Sequence, residues 1–234
     1  LSKYHRRSTH FFEKIEKILL IFKSEITNYF PNSEIFKIFK SNKRVLLFLI
    51  EENILTIDHY IYNEMTKIKY KNAKYPEYFS PEIKKFKLQN NIKDDTEEIE
   101  ETKEFYEKRK IGENDDLICQ LIRKDLIDEF ISYVNQNQYP LKSDVKTSIY
   151  ETNSLLQNQK SNLIEYATFF GSSQIFKYLY LNKVELESKL WIYAIHGDDE
   201  EIVRILEDEH IEPEIIHKHY DGDDNDDDDD DDAM

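Results

Sequence analysis

The stretch from Leu163 to Leu206 contains one helical-hairpin pattern written twice, and that duplication constrains the fold more than any other feature of the chain. Slid against itself by 27 residues, it superposes Leu163 on Leu190, Tyr166 on Tyr193, Ala167 on Ala194, Ile175 on Ile202 and Leu179 on Leu206. The pairs Ile164/Trp191, Phe176/Val203 and Tyr178/Ile205 keep an apolar residue at both positions. The match follows the side that must be buried, which is the signature of repeated supersecondary units. Each copy predicts helix, tight turn, helix. Ala167 and Ala194 are small enough to let a neighbouring hairpin approach, and Gly171 and Gly197 stand where the first helix must stop, with a left-handed backbone expected at both. After the turn, Ile175, Phe176 and Leu179, then Ile202, Val203 and Leu206, form one apolar stripe per second helix. One hairpin cannot bury such a stripe, whereas stacked hairpins can, at roughly 1.5–3 kcal/mol per large apolar side chain.

The string Ala167…Gly171-Ser172-Ser173-Gln174-Ile175-Phe176-Lys177-Tyr178-Leu179 resembles the helical half of an ankyrin repeat. Asn162-Leu163-Ile164-Glu165 replaces the usual Thr-Pro-Leu-His opening, and the spacing is shorter than the roughly 33 residues of a standard unit, so a shortened β-turn finger is expected. Longer strings extend the resemblance: FFEKIEKIL from Phe11, SNKRVLLFLIEENI from Ser41, YPEYFSPEIKKF from Tyr75, KRKIGENDDLICQLI from Lys108 and SIYETNSLL from Ser148. Together they look like a family of ankyrin-type proteins carrying a domain of unknown function, expanded in trichomonad parasites. The resemblance implies an α-helical repeat fold and protein–protein interaction, and brings no catalytic residues with it.

The rest of the chain divides by charge and pattern. Residues 1–88 carry 17 Lys/Arg against 10 Asp/Glu, and the remainder 15 against 38. This basic region is expected to be helical. Phe11, Ile15, Ile18, Leu19, Phe22, Ile26 and Phe30 predict one helix ended by Pro31, Ser33 is expected to cap a second, and a third runs from Val45 to Glu52. IFKIFKSNKRVLLFLIEE reads as a degenerate repeat with Ser41-Asn42 at its turn. A helix over Thr56–Lys67 follows, and Tyr75-Pro76 and Ser80-Pro81 are expected to break helix. Residues 89–112 read as an acidic linker, disordered at its start and helical later. Residues 113–214 hold the repeats, including a hairpin from Asp115 to Gln136 with its turn at Arg123-Lys124-Asp125. The connection from Tyr139 to Ser161 reads either as a recognition loop or as a polar spacer. Residues 215–234 end in ten aspartates between Asp221 and Asp232. Such a tail cannot fold, because its like charges repel and nothing apolar offsets the ordering entropy.

Only four glycines and five prolines argue against a turn-rich all-β chain, and 39% apolar residues will support a core. The first residue is Leu1, read as a sign of a fragment or an incomplete gene model. Cys119 is the single cysteine, set among Leu117, Ile118, Leu121 and Ile122, and so is expected to be a buried thiol rather than a nucleophile. No glycosylation sequon occurs, and the longest apolar run, Val45–Ile50, is too short to span a bilayer. The expected compartment is intracellular, in the cytoplasm.

No phosphate loop, nucleophile elbow or His-Glu-x-x-His signature is present. His210, His217 and His219 lack the partners of a tetrahedral zinc site. The expectation is an all-α, ankyrin-like hairpin solenoid that is no enzyme, with no catalytic, cofactor-binding or metal-binding residues. It would bind a protein partner, of unspecified identity and oligomeric state, through Glu165, Phe169 and His196 beside the first helices. Trp191 is expected in the core. The alternative is polyanion or nucleic-acid binding through Lys67, Lys69, Lys71 and Lys74 interleaved with Tyr70 and Tyr75; no nucleic-acid fold signature accompanies that charge.

Overall fold

The computed structural model describes residues 3–67, 74–93, 99–157 and 160–213, with side chains from residue 12 onward. Among these residues every regular element is an α-helix, and the one extended pairing is an isolated antiparallel bridge between Asp144 and Asn162. The Asp-rich tail, His217 and His219, and Lys69, Tyr70 and Lys71 lie outside the described residues. Among the described residues no helix is long and apolar enough to cross a membrane.

The first half packs α1 (Lys3–Ile21), α2 (Lys23–Tyr29), α3 (Asn32–Phe39), α4 (Lys43–Glu51), α5 (His59–Thr66), α6 (Tyr75–Tyr78) and α7 (Ser80–Gln89) around one core. Ile35, Phe36, Leu46, Leu49, Ile61, Met65, Tyr78 and Phe79 fill it. Local sequence reading misplaces several boundaries here. The helix expected across Phe11–Phe30 is interrupted at Phe22 (φ −94°, ψ 13°). Ser33 does not cap α3: Pro31 occupies the cap position, and the Asn32 side chain instead accepts a hydrogen bond from the Thr56 amide at 3.3 Å. Pro76 and Pro81 open helices rather than only breaking them, because proline costs nothing in a first turn whose amides have no intrahelical acceptor.

The expected linker contains α8 (Lys103–Ile111), capped by Thr102 and closed by Gly112 at φ +71°. Phe105 and Arg109 on it are buried, so this helix is docked along one face.

The second core holds α9 (Leu117–Arg123), α10 (Ile127–Asn137), α11 (Ser154–Gln157), α12 (Leu163–Phe169), α13 (Ser173–Leu181), α14 (Leu190–Gly197) and α15 (Glu200–Asp208). The duplicated segment folds as two helical hairpins, α12/α13 and α14/α15, whose repeated positions are buried alike. Leu163, Tyr166, Ala167, Ile175 and Leu179 and their counterparts Leu190, Tyr193, Ala194, Ile202 and Leu206 all lie in one core. The helices α10, α13 and α15 end alike as well. A left-handed residue (Gln138, Lys183, His210) is followed by an amide that bonds back to Val134, Leu179 and Leu206 respectively.

The connection between Tyr139 and Ser161 turns out to be a seam. The Asn114 side chain donates to the Lys146 carbonyl at 2.7 Å, the Ser148 hydroxyl to Asp115 at 2.8 Å, and the Thr152 hydroxyl to the Gly112 carbonyl at 2.8 Å. From the first core, Lys43 Nζ donates to the Ile149 carbonyl at 2.9 Å.

Candidate interaction surface

The hairpin turns of the second core touch one another directly. A Cβ added to Gly171 would come within 2.5 Å of the Gly197 carbonyl oxygen, and one added to Gly197 would strike the Thr168 carbonyl. Gly171 has the expected left-handed backbone (φ +61°). At the second turn the expectation fails: Gly197 is the last helical residue and Asp198 (φ 48°) takes the left-handed position. Gly197 is thus needed for close approach of two backbones, not for its torsion angle. On the preceding turn, Asp125 accepts from the amides of Gln174 at 3.1 Å and Ile175 at 3.0 Å, capping α13 from the neighbouring hairpin. The Ser172 hydroxyl donates to the Ile122 carbonyl at 2.5 Å.

Of the three expected contact residues, Glu165 and Phe169 are buried, leaving His196 at the surface. Glu165 closes a capping box with Asn162 and pairs with Lys189 at 2.6 Å, a structural task that keeps it inside. Phe169 lies beneath His196, the two rings stacked at 5.1 Å, and partial burial pushes the imidazole pKa below its ordinary value. Trp191 is half-buried, and its Nε1 donates to the Ile211 carbonyl at 2.6 Å. Ile195 beside it is 77% exposed.

A cavity of about 450 Å³ opens along this last hairpin, with Trp191, Ala194, Ile195 and Val203 forming its apolar floor. Asp198, Glu200, Glu207 and Arg204 border it. A second groove of about 360 Å³ between α8 and α9 is lined by charged side chains, with Lys108 held between Glu104 at 2.8 Å and Asp115 at 2.9 Å. In the basic segment that forms the alternative polyanion site, Lys67 pairs with Glu64, and Tyr75 is buried with its hydroxyl on the Lys40 carbonyl, so Tyr75 presents no stacking face.

Sequence reading missed a buried ionic seam between the two cores. Arg109 reaches Glu82 through both terminal nitrogens at 2.8 Å and donates to the Tyr78 carbonyl at 3.0 Å, while the Tyr78 hydroxyl donates to the Arg109 carbonyl at 2.9 Å. Arg123 contacts Glu113 at 2.9 Å and donates to the Tyr166 hydroxyl at 2.8 Å. Glu151 is buried; one carboxylate oxygen accepts from the Asn153 amide at 2.9 Å and the other finds no donor. Loss of hydration raises its pKa to about 7, and the same cause lowers that of buried Lys43 to about 7. Charged letters in helices otherwise read as solvent-facing, so only the three-dimensional packing reveals this set.

Cys119 is fully buried and desolvation raises its thiol pKa, an environment unlike that of a reactive thiolate. Among the described residues no group of three or more His, Cys, Asp or Glu side chains is placed to hold a metal ion. Compared with family models, with curated proteins and with solved structures, the chain finds no match.

Proposed function

We propose that this chain is a non-catalytic protein–protein interaction scaffold built from ankyrin-like helical hairpins. The observation that carries the reading is the direct stacking of α12/α13 on α14/α15 through Gly171 and Gly197, with Asp125 capping the next hairpin. Stacking of this kind fixes the turns and the exposed residues beside them at constant spacing, so a partner binds with little ordering cost. His196, held flat against Phe169, is a rigid polar contact at that edge.

The test is capture of partners from the source cell with the full chain, followed by titration of the purified captured protein against wild type and His196→Ala. A stoichiometric partner whose affinity falls at least about fivefold, the equivalent of about 1 kcal/mol, is the expected result. Catalytic turnover in a substrate screen, or binding only to polyanions with a steep salt dependence, would overturn the reading.

A further inference from the structure

The run formed by α1 and α2 has an inward and an outward side. Phe12, Ile15, Leu19 and Ile26 pack into the first core. On the other side Ile18, Ile21, Phe22 and Tyr29 stand in solvent, 55%, 73%, 52% and 79% exposed. This outward side continues across the break at Phe22. The Phe22 amide still bonds back to the Ile18 carbonyl at 3.1 Å and the Ile26 amide to the Phe22 carbonyl at 2.8 Å, so Ile26 turns inward while Glu25 and Tyr29 stay out. Exposed apolar groups this dense mark an interaction site rather than ordinary surface.

The spacing on this side selects the occupant. Lys14, Ile18, Ile21 and Glu25, all exposed, follow one another at intervals of four, three and four residues, which is the heptad interval that keeps a seam facing a second helix. The order is also a palindrome about the midpoint between Leu19 and Leu20, with lysine at one end and glutamate at the other. Turned end for end, a second copy of the seam sets Ile18 against Ile21 twice and Lys14 against Glu25 twice. Contact of residue i with j and of j with i is the condition that a two-fold interface imposes on a sequence, and an unrelated partner imposes no such condition. In the same register the stem of Lys17 lies over Phe22. Three glutamates and three lysines stand between residues 12 and 30, so two copies of the run meet without net repulsion. A whole aromatic side chain covers roughly 150–250 Å², so the four exposed apolar residues offer on the order of 500 Å² per copy. A pair then buries about 1,000 Å², the lower bound for a specific interface and the size of a reversible one.

We propose that the α1–α2 seam is the two-fold interface of an antiparallel homodimer, covered by the same seam of a second copy of this chain. Burial of Ile18, Ile21 and Phe22 supplies the affinity, and the two lysine–glutamate pairs fix the register. Because each seam is consumed by its own copy, association closes at two chains. The hairpin turns of the second core stay free in such a dimer, so a foreign partner there is compatible with it and the scaffold reading survives its failure.

The experiment is sedimentation of the full chain over a range of concentrations, with Ile21→Asp, Lys14→Glu and Glu25→Lys beside it. Salt at about 0.15 M, where the Debye length is about 8 Å, screens the chain's net charge of −16. All three positions are exposed, so each variant keeps its core, checked by an unchanged far-UV spectrum at the dilute end. Wild type is expected to rise from monomer to dimer and no further, and Ile21→Asp to remain monomeric. Lys14→Glu and Glu25→Lys each bring like charges together at both ends of the seam, and each is expected to raise the dissociation constant at least about tenfold. Mixed, they set carboxylates at both seam ends of one copy against lysines at both ends of the other. The equimolar mixture is therefore expected to return to within about threefold of wild type. Wild type that stays monomeric or grows past the dimer overturns the proposal. So does an Ile21→Asp chain that still associates, a charge variant as tight as wild type, or a mixture no tighter than its parents.

Discussion

Glycine at 197 and carboxylate at 151 are the two residues whose roles depend most on what surrounds them. Alanine in place of glycine inside a free helix gains up to about 1 kcal/mol. At Gly197 the added methyl would meet the Thr168 carbonyl and the Gly171 backbone, atoms that cannot rotate aside. Gly197→Ala should therefore lower stability by about 1–3 kcal/mol, the ordinary cost of overpacking, measured as a fall in Tm or in the denaturant midpoint. Glu151 has a folded pKa raised to about 7 from 4.5. A raised value means that its contribution to stability is complete below pH 4.5 and is lost as pH rises through 7. Lys43, lowered to about 7 from 10.5, runs the other way: its contribution is complete above 10.5 and is lost as pH falls toward 7. Glu151→Gln removes the first dependence. Its stability relative to wild type should climb between pH 4.5 and 7 by on the order of 3 kcal/mol and then level off. Parallel urea titrations across that range check it, and a difference that stays flat would refute the assignment.

At the scale of elements, the apolar spacing located the duplicated hairpins, because i, i+1, i+4 stripes are a local property of sequence. The boundaries were harder. The helix starts at Pro76 and Pro81 look like breaks in the sequence, since proline both ends one helix and opens the next, and only packing selects between them. The cap of α13 was not legible at all. Ser172 precedes the helix and looks like its cap, yet its side chain makes no cap bond and Asp125, from another hairpin, makes two. Asp125→Ala should cost about 1–2 kcal/mol, as lost helix caps do. Amide exchange should accelerate first at Gln174 and Ile175, which would distinguish a lost cap from a general loss of stability.

Across the whole molecule, the buried ion pair that joins residues 1–88 to the rest runs against their net charges, because Arg109 of the acidic part is clamped by Glu82 of the basic part. Truncating Arg109 to alanine would leave Glu82 without its bidentate partner and the Tyr78 carbonyl without its donor, at a cost of about 3–5 kcal/mol. The apolar pair Arg109→Met with Glu82→Leu should recover most of that loss, because removing both charges also removes the desolvation penalty. Thermal unfolding of the single and double variants decides it.

By itself the sequence determined that the chain is helical, where its duplicated unit lies and that the coinciding positions Leu163, Tyr166, Ala167, Ile175 and Leu179, with their counterparts 27 residues on, form the interior, because these follow from periodicity and residue volume. The tertiary structure alone decided that Glu165 and Phe169 turn inward while His196 stays out, that Gly197 serves contact and not torsion, and that charged side chains stitch the two cores together. Those outcomes depend on which groups distant segments bring together, and burial reverses the meaning of a charged or aromatic residue that local spacing leaves open.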